Sequence, residues 1–336
     1  MKIDIVTTRH WKGDPRLNRH AVYLTSAGHS AEMVSSAHRG KLQSLISAGA
    51  SVLSTDADAV ILPDPDFYAI GALLARVRGL RPVIDVHEDY PNVARNRSWI
   101  PNPLRPIVSV IARLMVALGR LFARGVIVAA PQLSRPGDTI VLNVPDPSLF
   151  RHDREKDRKL LVYVGDITIA RGALDMMEAL AGLPEEYTLR LIGSVSSSTR
   201  AELDETAAQL AISDRLDLRG RLEHGEAWQL AARAGYGLSL LQDTPAYREA
   251  VATKLWEYMA SGVIPIVSDL PGQSALVSRI DPVLACSNPS QVADLIVRLE
   301  ANPRLAGDLS MRARAIAEEK WAEARPDLAV QRVFDP

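Results

Sequence analysis

The 336-residue sequence predicts an α/β protein made of two doubly wound, Rossmann-like domains. Three observations predict it. The chain is longer than one hydrophobic core usually serves. Short runs of Val, Ile and Leu alternate with stretches of helical period, as repeated βαβ units around a parallel sheet require. The alternation also comes as two separate series.

In the first series, strand-like runs fall at 3–7, 31–35, 59–62, 83–86, 125–128 and 139–142, with helix-like stretches such as 16–27 and 68–77 between them. In the second they fall at 160–164, 188–192, 215–218, 237–241, 263–267 and 282–285, separated by helix-like stretches at 173–181, 200–210, 227–233 and 253–259. The join lies in 143–157, which holds Pro145, Pro147 and a cluster of charges. The domains expected are therefore 1–148 and 149–319, with a terminal helical segment, 320–336, crossing back to the first. The helical pattern of 303–334 breaks at Pro326 and adds no strand. Neither half shows a low-complexity tract or a short-period repeat, which sets solenoids aside.

Composition narrows the function classes. Charged residues make up 24% of the chain, an ordinary globular share. The single cysteine, Cys286, excludes an internal disulfide and any CxxC metal spacing, and fits a reducing, cytoplasmic compartment. The opening MKIDIVTTRH turns polar by Thr7, so it reads as a strand and not as a signal peptide. The apolar stretch 107–118 is interrupted by Arg113 and is too short to span a bilayer.

Charge is unevenly shared between the halves. Residues 1–150 carry 17 Lys+Arg against 12 Asp+Glu, and 90–135 holds seven arginines and no acid. That asymmetry points to an anionic partner for the first half, and peripheral contact of 90–135 with an anionic membrane is expected beside the alternative of a solvated helix face. Nucleic acid is not expected, because interleaved aromatics and a recognisable binding module are both missing.

Residues just past the strands face ligands in such folds. The sharpest pattern is 244–262, TPAYREAVATKLWEYMASG, in which Glu249 and Glu257 stand eight apart around a helix start near Thr253. Carboxylates accept paired hydrogen bonds from vicinal hydroxyls, and a helix N-terminus takes phosphate, so a nucleotide sugar suits this arrangement. Two solvent-facing helix residues would give the same spacing. The segment 163–172, YVGDITIARG, is a strand, a glycine turn at Gly165 and a cation, Arg171, before Gly172. A guanidinium fork can hold a departing diphosphate throughout turnover. Gly193 and the 216–223 stretch LDLRGRLE, with Arg221 and Leu222, mark two further strand ends where a ligand can approach backbone. In the first half, 83–91, VIDVHEDYP, sets His87 and Glu88 past a strand, and 8–16, TRHWKGDPR, offers Arg9, Lys12, Gly13, Asp14 and Arg16.

The run KLWEYMASG at 254–262, followed by an apolar strand and Ser268-Asp269-Leu270-Pro271, resembles retaining glycosyltransferases of family four, the group 1 type found in bacterial envelope and exopolysaccharide synthesis. The resemblance extends to 163–172, to 85–91, to the 14–29 run with Gly28-His29, and to Lys320-Trp321 near the end. It implies the GT-B fold, two such domains facing a central cleft. It implies that Glu257 takes the donor ribose and Glu249 the sugar hydroxyls, while Arg171 takes the diphosphate, with Lys254 or a basic group of the first half as the second cation. Gly13, Gly165, Gly172, Gly193, Arg221, Leu222, Thr253 and Leu255 complete the donor side. His87 lies near the transferring sugar, and Arg9, Lys12, Asp14, Arg16 and Glu88 serve the acceptor. One departure stands out: Asp166 occupies a position where the family usually has arginine.

The function expected is transfer of a sugar, with UDP favoured as carrier, to a glycan or lipid-linked acceptor, with no cofactor and no metal. Asp56 and Asp58 match a D-x-D metal spacing but precede their strand instead of following it. A nucleotide-sugar epimerase on the same architecture is the nearest alternative, and it would turn over without an acceptor. A non-catalytic assembly partner at the membrane is another. A dinucleotide oxidoreductase is not expected, since no G-x-G-x-x-G follows either first strand.

Overall fold

Residues 1–9, 14–36, 38, 40–96, 100–152, 155–245 and 247–334 are described by a computed structural model. The chain divides into two units: Met1–Asn143 with Ala324–Pro336, and Val144–Glu323.

The first unit alternates strands and helices as its apolar runs require: β1 (Lys2–Thr7), α1 (Pro15–Ser26), β2 (Ser30–Ser35), α2 (Lys41–Ser54), β3 (Ala59–Leu62), α3 (Tyr68–Val77), β4 (Arg81–Val86), α4 (Tyr90–Asn96), α5 (Arg105–Phe122), β5 (Gly125–Val128) and β6 (Thr139–Ile140). Its sheet has the order β2-β1-β3-β4-β5-β6, and every pair is parallel. Asp14 starts α1 by accepting from the amides of Arg16 and Leu17 at 3.0 and 3.1 Å.

The second unit follows with β7 (Asp157–Val164), α6 (Ala173–Ala181), β8 (Thr188–Ile192), α7 (Ser197–Gln209), β9 (Leu216–Gly220), α8 (His224–Ala231), β10 (Ala234–Ser239), α9 (Thr253–Ala260), β11 (Ile264–Ser268), α10 (Pro271–Val277), β12 (Ala285–Cys286), α11 (Pro289–Ala301) and α12 (Pro303–Ala324). Its sheet is also parallel, in the order β12-β11-β10-β7-β8-β9. The short α13 (Pro326–Arg332) belongs to the first unit, where it packs on α1 and β6. Arg325, in the left-handed region at φ 37°, makes the turn before it.

The two parallel sheets with flanking helices are the expected architecture, with three differences. The join falls between Asn143 and Val144, ahead of the expected 148, because Phe150 is drawn into the second core and stacks edge-on against Trp228 at 5.7 Å. The return comes at Ala324, the last residue of α12, because the second unit keeps the helix as far as Glu323, four residues past the expected 319. The run at 282–285 is mostly a 3-10 turn, Pro282–Leu284, capped by Asp281 accepting from the Val283 amide at 3.0 Å, and only two residues of strand remain. Among the described residues, no helix is long and apolar enough to cross a membrane.

Candidate functional site

In the second sheet the chain steps outward through β7, β8 and β9, then resumes on the other side of β7 with β10 and β11. The C-terminal ends of β7 and β10 therefore form the topological switch point, where the connections diverge and leave a crevice. Gly165 follows β7, and the loop that leads to α9 follows β10.

The turn after β7 closes against the end of β10. Ala170 O accepts from the Gln242 amide at 3.1 Å, and Gln242 Nε2 donates to Asp175 at 2.6 Å. Gly172 has φ +82°, and a Cβ there would stand 1.7 Å from Leu240 O, so only glycine permits this closure. Arg171 is thereby held at the switch point. Its guanidinium lies against the Tyr163 and Tyr247 hydroxyls and 3.8 Å from Asp166. Burial works to lower the Arg171 pKa, but the two phenols and Asp166 outweigh it and the net displacement is upward.

Lys254 comes to the same place from the first turn of α9, a helix whose cap residue, Ala252, offers no side-chain oxygen. Its stem is partly exposed, but Nζ is buried, sits 3.5 Å from the Tyr163 ring centroid and has no hydrogen-bond partner among the described residues. Nζ also lies 3.3 Å from where a Cβ on Gly165 would be, so a larger residue there would press on the ammonium. Burial pushes the Lys254 pKa well below 10.5, and Arg171 pushes it the same way. Glu257 and Asp166 resist without restoring it. An ammonium in this position has no hydrogen-bonded anion among the described residues. Burial likewise raises the Tyr163 hydroxyl to about 12, against the opposing pull of Arg171, and that hydroxyl donates to Asp166 O at 2.8 Å.

Glu257 lies one turn further along α9, buried, with Oε1 accepting from His224 Nε2 at 2.9 Å. The neighbouring Tyr258 fixes the helix against the sheet: its hydroxyl accepts from the Val164 amide at 3.0 Å, and its ring stacks edge-on against Trp228 at 5.3 Å. Glu249 is exposed in the turn before α9 and makes no hydrogen bond or ion pair among the described residues; Gly272 packs against its backbone. Thr253 and Leu255 flank Lys254 in the first turn, Leu255 in the core. Gly193, after β8, approaches Gly165 O so closely that a Cβ would stand 1.8 Å away. Arg221 is exposed after β9, and Leu222 packs on the core.

The first unit treats its nominated residues differently. Arg16 is buried and makes a two-pronged ion pair with Asp85, at 2.9 and 2.7 Å, while a third nitrogen donates to Val141 O at 3.3 Å. The charge of Arg16, expected on the acceptor side, is satisfied inside the unit. His20 joins the same carboxylate at 3.2 Å. Asp14, also expected on the acceptor side, caps α1. Arg9 is engaged by Asp66, with Nε donating at 3.0 Å. Lys12 and Gly13 lie outside the described residues. His87 does stand just past β4, half-buried, with Nε2 3.2 Å from the Tyr90 hydroxyl, and Glu88 beside it is exposed. Among the described residues no group of three or more His, Cys, Asp or Glu side chains is arranged to hold a metal ion.

The family profile of the Glycosyl transferases group 1 matches residues 146–317, just over half of the chain and nearly all of the unit that carries this crevice. The chain belongs to the group 1 glycosyltransferases. No curated protein sequence matches it. Its fold is that of solved GT-B glycosyltransferases. HepE of Anabaena, crystallised with UDP-glucose, superposes with a TM-score of 0.71 at 15% identity over 99% of both chains. Sucrose-phosphate synthase of Thermosynechococcus elongatus gives 0.72 at 15% identity, over 99% of this chain and 98% of its own. A glycosyltransferase of Rickettsia africae gives 0.64 at 13% identity, over 99% and 96%.

Within this group 1 glycosyltransferase, sequence reasoning passes over three residues that build the crevice. His224 is 33 positions from the carboxylate it holds, so no local pattern signals it. Tyr163 lies inside a quoted motif but reads there as an ordinary apolar strand residue. Tyr258 looks like helix core until its hydroxyl is seen at the end of β7.

Proposed function

We propose that this glycosyltransferase moves a hexose from UDP to a glycan or lipid-linked acceptor with retention of anomeric configuration. The observation that carries the donor site is the buried, unpartnered Lys254 ammonium beside Arg171 at the ends of β7 and β10. Two cations there would take the diphosphate, with the uncapped first turn of α9 adding backbone donors. Glu257, oriented by His224, would accept from the ribose hydroxyls, and Glu249 from the sugar. The UDP-glucose bound by HepE supports the choice of donor.

In the chemical step the bond from C1 to the diphosphate oxygen breaks and the acceptor oxygen bonds to C1 on the same face. The acceptor proton passes to the departing phosphate oxygen, which needs no protein base. Arg171 and Lys254 stabilise the charge that develops there, so a resident metal has no step to perform. The enzyme would work at the inner face of the plasma membrane, where 90–135 meets anionic lipid.

The test is incubation of the purified chain with a panel of UDP- and GDP-sugars, with and without candidate acceptors, in the presence of a chelator. A product whose anomeric coupling by NMR matches that of the donor is expected only with acceptor present. A new epimer formed without acceptor would instead establish an epimerase, and loss of turnover on chelation would reject metal independence.

A further inference from the structure

Helices α2, α3 and α5 form one layer of the first unit. α3 contacts both of the others, and all three feed one core: Ala48 and Val52 from α2, Ala72 and Ala75 from α3, Val116 and Phe122 from α5. A helix in such a layer normally buries that stripe and shows water a polar one.

Here the outward side is aliphatic as well. α5 presents Ile107, Val110, Ile111, Leu114, Leu118 and Leu121, each at least 45% exposed. Their spacing at three, four, seven, eleven and fourteen residues from the first puts them on one stripe, opposite the buried Ser109 and Gly119. α3 repeats the pattern with Ile70, Leu73 and Val77, and α2 shows Leu42 and Ile46. A helix that is apolar on two opposite faces calls for a second apolar medium.

Charge decides what that medium is. Helices α2, α3, α4 and α5 contain no Asp or Glu, while Lys41, Arg76, Arg95, Arg105, Arg113 and Arg120 lie on them. Arg120 is neutralised by Asp138 at 2.6 Å, whereas Arg113, exposed on the flank of the aliphatic stripe, makes no hydrogen bond among the described residues. A second copy of this chain would bring cations against cations. An anionic bilayer offers acyl chains to the aliphatic stripe and headgroups to the guanidinium groups beside it.

We infer that the α2–α3–α5 face is a docking surface for an anionic membrane, with α5 lying in the plane of the interface. The inference deepens the membrane part of the reading above by shifting the contact from arginines alone to an inserted aliphatic face, and it uses no residue of the donor crevice. None of the described helices can cross a bilayer, so the surface rests on the membrane without spanning it.

The test is co-sedimentation of the full chain with vesicles of phosphatidylcholine containing one quarter phosphatidylglycerol, against phosphatidylcholine alone, with UDP titration run in parallel on every variant. The wild type should partition to the anionic vesicles. Leu114→Glu with Leu118→Glu should weaken partitioning at least tenfold, and Arg113→Glu severalfold at low salt. Val297→Glu, an exposed aliphatic site on α11, should change nothing. All of them should fold by circular dichroism and bind UDP alike. Failure of the wild type to sediment, or equal binding by the double variant, overturns the inference. So does a wild-type dimer in ultracentrifugation that the double variant dissociates without any vesicle uptake. Vesicle binding without UDP binding would defeat the donor assignment alone.

Discussion

Arg16, in the first turn of α1, and Arg171, just before α6, stand in similar local settings, each following the first strand of its unit, yet they end in different states. Arg16 is clamped by Asp85, 69 residues away in sequence, with Val141 O and the cap of α1 completing its surroundings. The Asp85 carboxyl would be raised by burial, but Arg16 and then His20 hold it well below 3.8. Arg171 has a looser 3.8 Å approach to Asp166, lies against the Tyr163 and Tyr247 hydroxyls, and stands beside an ammonium with no hydrogen-bond partner among the described residues. One unit has spent its strand-end charge on its own stability, and the other keeps an ammonium that no hydrogen bond satisfies among the described residues. Unmatched cations mark where an anionic ligand would be welcome, at a cost to the folded state.

The largest effect that tests this contrast is on stability. Arg16→Met leaves Asp85 buried without its ion pair, which should cost about 3–5 kcal/mol in urea unfolding while UDP affinity stays within about twofold. Intact stability with lost UDP affinity would invert the comparison.

Next come the second unit's cations. Arg171→Ala and Lys254→Met should each lower turnover by about tenfold or more, equivalent to about 1.4 kcal/mol. Lys254→Met should at the same time raise unfolding stability by about 1 kcal/mol, since it removes a buried ammonium nitrogen with no hydrogen bond. The pH dependence follows from the lowered Lys254 pKa. The free site loses its proton well below 10.5, and a bound diphosphate favours the protonated form, so UDP affinity should fall as pH rises through the lowered value. Calorimetric titration across that range should show the decline in wild type and a flat profile in Lys254→Met.

A smaller effect is expected at His224, which touches Glu257 and is not assigned to the reacting atoms. His224→Ala should raise the KM for donor by about threefold to tenfold with kcat little changed, consistent with loss of one charge-assisted hydrogen bond. A fall in kcat at constant KM would show that His224 acts in the chemistry itself. Smallest is Asp166, exposed but facing Arg171. Asp166→Asn should tighten UDP binding by about twofold to threefold, as expected for relief of an exposed like-charge contact with the ligand.

Much of this was legible along the chain because it depends on neighbours within a few residues. The turn at 163–172 and the helix start at Thr253 are local signals, and the structure places both at the switch point. The roles of Arg16 and Asp14 were illegible because a cation or a carboxylate looks the same whether a ligand or a distant residue will neutralise it. Glu249 and Glu257 share a spacing but not a setting: one is exposed and unpartnered, the other buried on His224. Helix α5 escaped the periodicity reading because its apolar residues lie on two faces and blur any single stripe.

The sequence by itself determined the repeated βαβ pattern, the parallel sheets and the segment that matches a glycosyltransferase family, all through short-range periodicity and motif spacing. The tertiary structure alone decided the sheet orders, β2-β1-β3 in one unit and β10-β7-β8 in the other, and with them which strand ends meet. Charge pairing acts through space across those strand ends, so only the folded arrangement could separate the cation clamped by a buried carboxylate from the ammonium that is left without a hydrogen bond among the described residues.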